Sequence, residues 1–498
     1  MSAIDKPEKI PRLYRAGQVR AMDRFAIDQL GIPGIELMNR AGAAAFAALC
    51  QRWPEARNVS VVCGSGNNGG DGYVVARLGI EAGMDVRVYP LASPEKLQGD
   101  ALAAYEKYKA AGGPLPDFVP TDFDGAQVLV DGLLGTGLDR EVEGLYAETI
   151  RGMNKFNGGV LALDIPSGLH ADTGRALGEA VKADLTVTFI GLKQGLFTGN
   201  GPEHCGEVVF DDLQTPPSVQ ASQPPSAWLL PTWHSGLPRR ARGAHKGNFG
   251  HALIVGGAPG FCGAARMAAE SAARVGAGLI SLATHPDHAA LMNINRPELM
   301  CHGVATADEL RPLLARASVI AVGPGLGLGQ AGWGRVLFDA VLDSGLPLVM
   351  DADALNLLAL APLKREDWVL TPHPGEAARL LKTTSIAIQA DRFAAISALR
   401  EKYGGTVVLK GSGTLVLGGG KSEPSVCTQG NPGMASGGMG DVLTGVITGL
   451  LAQGLDYTEA SEIGVRLHGA AGDKAAEDGE RGLLAGDLMP WLRRLVNL

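Results

Sequence analysis

The chain of 498 residues lacks most features of secreted, membrane-spanning or nucleic-acid-binding proteins. Its six cysteines are scattered and form no CxxC pair, which argues against a zinc site and a disulfide framework and favours a reducing compartment. It has no Lys/Arg block, and its formal net charge is −8, so nucleic acid would find no basic surface. The N-terminus has no apolar signal-peptide core, and no run of about 18 apolar residues occurs. We therefore expect a soluble cytoplasmic protein without nucleic-acid or membrane partners.

Glycine, in contrast, is abundant, with 70 residues, about twice the average usage. The glycines form no repeats but cluster in short loops that follow apolar segments. Such loops are typical of tight turns and of places where the backbone approaches a ligand closely.

The apolar segments alternate with helical segments. In the first half, strands such as VSVVC (59–63), GVLALDI (159–165) and LTVTFI (185–190) are apolar almost throughout, which is typical of a parallel sheet covered on both faces. A second series of the same kind begins at HALIVGG (251–257).

A stretch rich in Pro, Ser and Gln separates the two series, at residues 214–231. The sequence therefore predicts an α/β protein with two three-layer αβα domains. Their predicted bounds are 1–215 and 233–498, with a linker at 216–232.

The first strand runs into the glycine loop GSGNNGGDG (64–72). Its glycines satisfy G-x-G-x-x-G and a helix follows, so a phosphate could bind over the helix N-terminus. The acid expected at the end of the next strand is missing, which disfavours an ordinary NAD dehydrogenase. A tight turn would explain the glycines, but Asn67, Asn68 and Asp71 among them indicate contacts with a ligand.

Two further loops follow strands of the same sheet. VDGLLGTGL places Asp131 at a strand end, and LALDIPSGL places Asp164 and Ser167 at another. Because ligands bind beyond the carboxyl ends of parallel strands, Asn68, Asp131 and Ser167 could converge as oxygen ligands for a cation. The alternative is that each residue caps the helix after it.

The strings GSGNNGGDGYVVAR, DGLLGTGL, ALDIPSGL and GLKQGLFTGNG resemble the NAD(P)H-hydrate epimerase domain, over most of residues 14–213. The resemblance implies a Rossmann-like domain that binds a hydrated dinucleotide. The implied contacts with the hydrate are Asn67, Asn68, Gly69, Gly70, Asp71, Gly135, Thr136, Gly137, Leu138, Asp139, Arg140, Glu141 and Asp164.

The resemblance also implies a potassium ion on Asn68, Asp131 and Ser167. It implies that Asp164 lies against the reacting ring, with Lys193 as its catalytic partner. A carboxylate with a nearby ammonium can shuttle the protons needed to invert the hydroxylated C6 of a hydrated nicotinamide.

Asp441 lies in NPGMASGGMGDVLTG (431–445), between a glycine loop and a helix predicted to start at Val442. The glycines leave backbone amides unobstructed and the helix adds its positive end, so the segment predicts an anion pocket for a phosphoryl group. Asp441 could take the proton from an attacking hydroxyl, as in kinases. The alternative is a helix cap.

With GGAPGFCGAAR, GPGLG, DADALN, TPHPGE and KGSGT, this segment resembles the ribokinase-like superfamily and, more closely, the NAD(P)H-hydrate dehydratase domain, over about residues 236–495. The resemblance implies catalysis by Asp441 and two sets of contacts. Nucleotide contacts are Lys410, Gly411, Ser412, Gly413, Thr414 and Gly440, and hydrate contacts are Ala264, Gly325, His373 and Asp441.

With both domains, the whole chain resembles bifunctional NAD(P)H-hydrate repair enzymes. The resemblance implies hydrated NADH or NADPH and ADP as the small-molecule partners. Magnesium is expected with the nucleotide, and we expect a homo-oligomer.

Two alternatives remain from the residues alone. One is a sugar or hydroxymethylpyrimidine kinase fused to a non-catalytic domain that binds a ligand or partner. The other is a first domain that serves as a scaffold for protein or RNA.

Overall fold

The computed structural model describes residues 10–115, 123–233, 236–328 and 332–497. The chain divides into two compact units, one formed by Arg12–Trp228 and the other containing residues 229–497. Both are α/β units, which confirms the predicted fold class. Among the described residues, no helix combines the length and apolar character needed to cross a membrane.

The N-terminal unit is built on a six-stranded sheet whose strands all run parallel. Their spatial order is β3 (Asp85–Pro90), β2 (Asn58–Cys63), β4 (Val128–Gly132), β5 (Gly159–Leu163), β6 (Leu185–Phe189) and β8 (Glu207–Asp211). The central strands are buried almost throughout, as their apolar runs predict. The helices are α1 (Ala16–Asp28), α2 (Gly34–Arg52), α3 (Asn67–Glu81), α4 (Gly99–Ala110), α5 (Gly144–Met153), α6 (Gly201–His204) and α7 (Pro217–Ala221).

Three short strands lie outside this sheet and were not predicted: β1 (Arg12–Tyr14), β7 (Leu192–Lys193) and β9 (Ala227–Leu229). β1 pairs parallel with β7, with Tyr14 opposite Lys193, and antiparallel with β9. This pairing fixes the backbone of Lys193. The segment 216–232 contains α7 and β9, so the stretch predicted as a linker has regular structure of its own, and the domain bounds stay a prediction.

The C-terminal unit has a nine-stranded sheet. Its strands, in spatial order, are β12 (Met300–Gly303), β11 (Leu279–Thr284), β10 (His251–Val255), β13 (Val319–Val322), β14 (Leu348–Met350), β15 (Trp368–Leu370), β16 (Thr406–Leu409), β17 (Thr414–Leu417) and β18 (Ser425–Cys427). The first seven run parallel, β17 pairs antiparallel with β16, and β18 pairs antiparallel with β17.

The helices of this unit are α8 (Cys262–Arg274), α9 (Ala307–Leu314), α10 (Trp333–Leu342), α11 (Ala352–Leu360), α12 (Pro374–Leu381), α13 (Ser385–Ala390), α14 (Arg392–Tyr403), α15 (Met439–Ala452), α16 (Tyr457–Ala475) and α17 (Leu488–Leu495). Most of α15 is buried, against α8 among others. A Cβ on Gly445 would lie 2.0 Å from the Ala268 carbonyl oxygen, so this glycine permits close helix packing.

Candidate active sites

The first candidate site is a cavity of about 570 Å³ in the N-terminal unit. It is lined by the loops that follow β2, β4 and β5, and by α1. The strand order reverses between β2 and β4, which is where open α/β sheets bind ligands. The cavity brings together these predicted residues: Asn67, Asn68, Asp71, Gly135, Thr136, Gly137, Leu138, Asp139, Arg140, Asp164 and Lys193.

The three predicted cation ligands form one hydrogen-bonded cluster. The Ser167 amide donates to Asp131 Oδ2 (2.7 Å), and the Ser167 hydroxyl donates to Asp131 Oδ1 (2.6 Å). The Leu134 amide donates to Ser167 Oγ (2.7 Å), and Asn68 Nδ2 donates to the Leu134 carbonyl (3.0 Å). Burial raises the pKa of Asp131 to about 6.

Asn68 supplies the observation that favours a cation here. Its Oδ1 is buried and accepts no hydrogen bond from any described residue. Buried acceptors are nearly always satisfied, so a buried amide oxygen without a donor fits a ligand that carries positive charge.

Strained turns end β5 and β6. Asp164 has a φ of +64° and Ile190 a φ of +63°, and in each case the two flanking residues are joined by a hydrogen bond, of 2.7 and 2.6 Å. Three-residue turns of this hand are rare, and a β-branched residue with positive φ is an outlier. Strain of this kind concentrates at functional sites.

These turns bring Asp164 and Lys193 into contact, as expected from the sequence. The buried Lys193 ammonium donates to Asp164 Oδ1, to the Thr188 hydroxyl (3.1 Å) and to the Phe189 carbonyl (2.9 Å). Asp164 also accepts from the Thr188 hydroxyl and the Phe189 amide at its Oδ1. The pair is thus a fixed unit on the cavity wall.

The first turn of α3 offers backbone donors. Gly66 precedes the helix, and the first helical hydrogen bond runs from the Gly70 amide to the Gly66 carbonyl (3.1 Å). The amides of Asn67, Asn68 and Gly69 therefore precede that bond, and together with the helix dipole they suit an anionic group of a ligand.

Three predicted contacts do not line the cavity. A Cβ on Gly69 would lie 2.1 Å from the Gly64 carbonyl oxygen, and one on Gly70 would lie 2.6 Å from Met38 Cε, so both glycines permit close packing. Glu141 pairs with Arg175 (2.7 Å) in an exposed position.

Asp23 of α1, in contrast, lines the cavity and was missed. No motif marks it in the sequence, because it is one of two separate acids on an amphipathic helix. Burial raises its pKa to about 6, against the lowering effect of Lys193. Burial, followed by the charges of Asp164 and Asp23, raises the pKa of Asp71 well above its ordinary value.

The second candidate site surrounds Asp441. The helix α15 begins at Met439, not at Val442, and its first backbone bond runs from Val442 to the Gly438 carbonyl (3.0 Å). Asp441 therefore lies inside the first turn and is not the residue that caps the helix. Gly438 holds the cap position with a φ of +95°, which a residue with a side chain rarely adopts.

A buried ion pair lies beside this turn. Lys410 Nζ donates to Asp351 Oδ1 (2.6 Å), and the hydroxyls of Thr371 and Thr444 donate to the same carboxylate. Burial opposes both charges, but their attraction and the hydrogen bonds outweigh it. They set the pKa of Asp351 below its ordinary value and that of Lys410 above. A Cβ on Gly440 would lie 3.1 Å from Lys410 Nζ, which places the turn against this pair.

Two carboxyls near the ion pair titrate close to neutrality. Burial and then the negative charge of Asp351 raise the pKa of Asp441 to about 7, against the lowering effect of Lys410. Burial also raises the pKa of Glu376 to about 7, again opposed by Lys410, which lies 3.8 Å away. A carboxyl with a pKa near 7 is suited to general base catalysis at neutral pH.

Lys410 is the first residue of the turn 410–414, which was predicted to contact a nucleotide. Gly411 and Gly413 have φ values of +132° and +63°, and the Thr414 hydroxyl donates to the Gly411 carbonyl (2.9 Å). The fully buried Arg392 braces the turn by donating to the carbonyls of residues 409, 410 and 413. Sequence reasoning missed Arg392, which lies at the start of α14 outside every motif.

His373 is the cap residue of α12. Its Nδ1 accepts from the Gly375 amide (3.0 Å), and its own amide donates to Glu376 Oε2 (2.7 Å). The adjoining Pro372 carbonyl accepts from the Lys410 amide (2.9 Å), which ties this loop to the ion pair. About half of the His373 side chain remains exposed and available to a ligand.

The loop that precedes α8, the helix of Ala264, lies against Gly325. The Ala258 amide donates to the Gly325 carbonyl (2.7 Å), and a Cβ on Gly325 would lie 2.5 Å from the Phe261 carbonyl oxygen. The Gly327 amide donates to Asp353, whose negative charge contributes to the raised pKa of Asp441. A cavity of about 750 Å³ elsewhere in this unit is lined by none of the predicted site residues.

Comparisons with known proteins identify the family of each part of the chain. The family described as YjeF-related protein N-terminus matches residues 34–195, and the NAD(P)H-hydrate dehydratase family matches residues 252–494. A relative from Coxiella burnetii, named bifunctional NAD(P)H-hydrate repair enzyme, is 51% identical over 493 residues, which cover 97% of this chain and 99% of the relative. This chain belongs to the bifunctional NAD(P)H-hydrate repair enzyme family.

Another bifunctional NAD(P)H-hydrate repair enzyme, from Escherichia coli, is 43% identical over 500 residues, which cover 99% of this chain and 95% of the relative. A solved ADP/ATP-dependent NAD(P)H-hydrate dehydratase from Bacillus subtilis, co-crystallised with ATP and Mg²⁺, is 29% identical. It covers 53% of this chain and 97% of its own, with a TM-score of 0.47. The membership confirms the family expected from the motifs.

Proposed function

We infer that the N-terminal unit interconverts the R and S forms of hydrated NADH and NADPH, and that the C-terminal unit dehydrates the S form. The observation that carries this inference is the presence, in one chain of the repair family, of a partly buried carboxylate beside an ammonium in each unit. Asp164 contacts Lys193 in the N-terminal unit, and Asp441 lies near Lys410 in the C-terminal unit.

In the epimerase site, the free amides at the start of α3 hold the anionic part of the dinucleotide. Residues 135–140 form another wall of the cavity and orient the hydrate against Asp164. Inversion at C6 requires the hydroxyl to lose its proton while the ring opens, and to regain a proton when the ring closes on the other face. Asp164, fixed by Lys193, exchanges that proton.

Potassium is proposed as the resident cation of this site, held by Asn68, Asp131 and Ser167. The donor set supports it, because amide, carboxylate and hydroxyl oxygens suit a hard cation and not a thiophilic one. The orphaned Oδ1 of Asn68 supplies a ligand atom that no described residue occupies. A bound cation would also offset the cost of burying the Asp131 carboxylate.

In the dehydratase site, Asp441 takes the proton of the C6 hydroxyl as its oxygen attacks the terminal phosphoryl group of a nucleotide. The first-turn amides of α15 and the Lys410 ammonium stabilise the charge on that group. Loss of phosphate from C6, with a proton from C5, then restores the ring double bond. His373, Ala264 and Gly325 contact the hydrate.

ADP is proposed as the nucleotide, with Mg²⁺ bound to its phosphates, and residues 410–414 and Gly440 as its contacts. The glycines at 411 and 413 have backbone conformations that hold the turn open, and Arg392 keeps it in place. We also propose a cytoplasmic location, which the six free cysteine thiols support.

The test is chemically hydrated NADH, as a mixture of epimers, incubated with the protein and ADP or ATP. Recovery of reduced-nicotinamide absorbance equal to the total hydrate, with ADP used more efficiently than ATP, supports the proposal. Recovery of the S fraction alone would remove the epimerase role. A hydrate that stays unchanged while a sugar or a hydroxymethylpyrimidine is phosphorylated would support the kinase alternative.

A further inference from the structure

Most of the hydrogen-bonding atoms of Asp164 and Lys193 are already occupied within the protein. The Lys193 ammonium has three N–H groups, and they donate to Asp164, Thr188 and Phe189. With all three committed and the side chain buried, Lys193 has no proton directed at a ligand in the cavity.

Asp164 is equally constrained at one oxygen. Its Oδ1 accepts from the Lys193 ammonium, the Thr188 hydroxyl and the Phe189 amide. Within the described residues, Oδ2 accepts no hydrogen bond, and the side chain is 18% exposed on the cavity wall. Oδ2 is therefore the oxygen of Asp164 that can accept a proton from the hydrate.

Ring opening needs two proton-exchanging groups at once. When the C6 hydroxyl loses its proton, the O–H electron pair forms the C6 carbonyl and the C6–N1 bond breaks. Its electron pair passes to N1, which must gain a proton. Asp164 can receive the hydroxyl proton, but neither Oδ1 nor Lys193 is free to supply the proton for N1.

We propose that the Asp23 carboxyl is the acid that protonates N1, so that Asp23 and Asp164 together catalyse epimerisation. Asp23 lines the same cavity but lies on α1, whereas Asp164 and Lys193 follow the strands β5 and β6. It makes no hydrogen bond or ion pair with any described residue, so its proton is not committed. When the ring closes on the other face, each proton returns along its own path.

Two carboxyls in different environments are the usual arrangement for an acid and a base in one site. Asp164 accepts three hydrogen bonds at Oδ1, whereas Asp23 accepts none from a described residue and burial raises the pKa of Asp23 to about 6. The charged groups that act on Asp23 are Lys193, Asp164 and Asp71. Asp71 also borders the cavity but belongs to the first turns of α3 and is more deeply buried, so Asp23 is the more accessible acid.

The proposal rests on the epimerase activity of this chain, and its test is Asp23→Asn in the full-length protein. R-to-S conversion is measured for the hydrated NADH epimers across pH 5 to 9. Asp28→Asn is the matched control, because Asp28 ends the same helix, is exposed and does not line the cavity. Dehydration of the S epimer with ADP reports that each variant is folded.

We expect Asp23→Asn to lower epimerisation turnover by about 10²–10⁴-fold, with KM changed less than threefold. Wild-type turnover should fall as pH rises through the pKa of Asp23. The variant should lose this falling limb of the pH profile. A turnover loss below a hundredfold, or a loss that leaves the limb in place, overturns the assignment. If Asp23→Asn is insoluble, wild-type turnover that does not fall between pH 5 and 9 overturns the assignment. Asp23→Glu should retain the falling limb of the pH profile.

Failure of the wider function would look different. If wild-type protein converts no R epimer, the epimerase proposal fails. If it does convert the R epimer and Asp23→Asn matches it, only the role of Asp23 fails.

Discussion

Replacing Asp441 by Asn isolates the chemical role of the carboxylate in the dehydratase site. The substitution keeps the size and shape of the side chain in the first turn of α15, so the amides of that turn and the adjacent ion pair should persist. What is lost is a base, since an amide cannot take the hydroxyl proton. A positioned general base contributes about 10²–10⁴-fold, which corresponds to roughly 3–5.5 kcal/mol of activation free energy.

The loss should not come from instability. Burial, with the charge of Asp351, raises the pKa of Asp441 in the folded protein to about 7, above its unfolded value. The folded state therefore binds the proton more tightly, and the ionised carboxylate lowers the free energy of unfolding as pH rises from about 4 to about 7. Because one pKa unit corresponds to about 1.4 kcal/mol, removing the charge should raise the free energy of unfolding at pH 8 by at most roughly 4 kcal/mol.

The assay is steady-state dehydration of the S hydrate with ADP, together with ADP binding by calorimetry and R-to-S conversion. We expect turnover to fall at least a hundredfold, ADP affinity to stay within about threefold or tighten, and epimerisation to be unchanged. Wild-type turnover should rise with pH through about 7 and then level off. A variant that keeps more than about a tenth of wild-type turnover would refute the general-base role and leave Asp441 a structural residue of the helix.

Three further predictions concern the cation, the ion pair and the division of the chain. Asp131→Ala should abolish epimerisation and its dependence on potassium while S-hydrate dehydration persists; unchanged epimerisation in the variant, or for wild type in potassium-free buffer, would exclude the cation site. Lys410→Met should lower the free energy of unfolding of the C-terminal unit by about 3–5 kcal/mol in denaturant titrations, because it leaves Asp351 buried without its partner. The exposed Lys474→Met should cost less than about 1 kcal/mol, and equal costs would contradict this reasoning. A fragment that begins at Ser226 should stay soluble and dehydrate the S epimer alone; insolubility, or equal use of both epimers, would argue against separable domains.

The sequence predicted the central strands well because their burial leaves a direct trace. β4, β5 and β6 are buried on both faces, and a short run of apolar residues is typical of such a strand. The edge strand β12 was not predicted, because its residues are at most partly buried and form no apolar run. β1 and β7, of three and two residues, were not predicted either, because they form by pairing with segments distant in sequence.

The site residues divide in the same way. Asn68, Asp131, Asp164 and Asp441 lie in dense glycine motifs, so the sequence could predict them as site residues. Asp23 and Arg392 lie on ordinary helices, so only the fold brings the first to a cavity and the second to the turn after β16.

The predicted start of α15, Val442, was also wrong, because the helix begins at Met439. Glycines at positions 438 and 440 predict a loop, yet Gly440 lies in the first turn of α15, where a Cβ would lie 3.1 Å from Lys410 Nζ. Close packing rather than turn formation selects this glycine.

Purified R hydrate of NADH, incubated with ADP, gives the most direct test that one chain performs both reactions in sequence. Wild-type protein should convert all of it to NADH. Asp164→Asn should leave the R hydrate unconsumed beyond its spontaneous epimerisation, and Asp441→Asn should produce S hydrate but no NADH. Conversion of the R hydrate to NADH by Asp164→Asn at the wild-type rate would contradict the account.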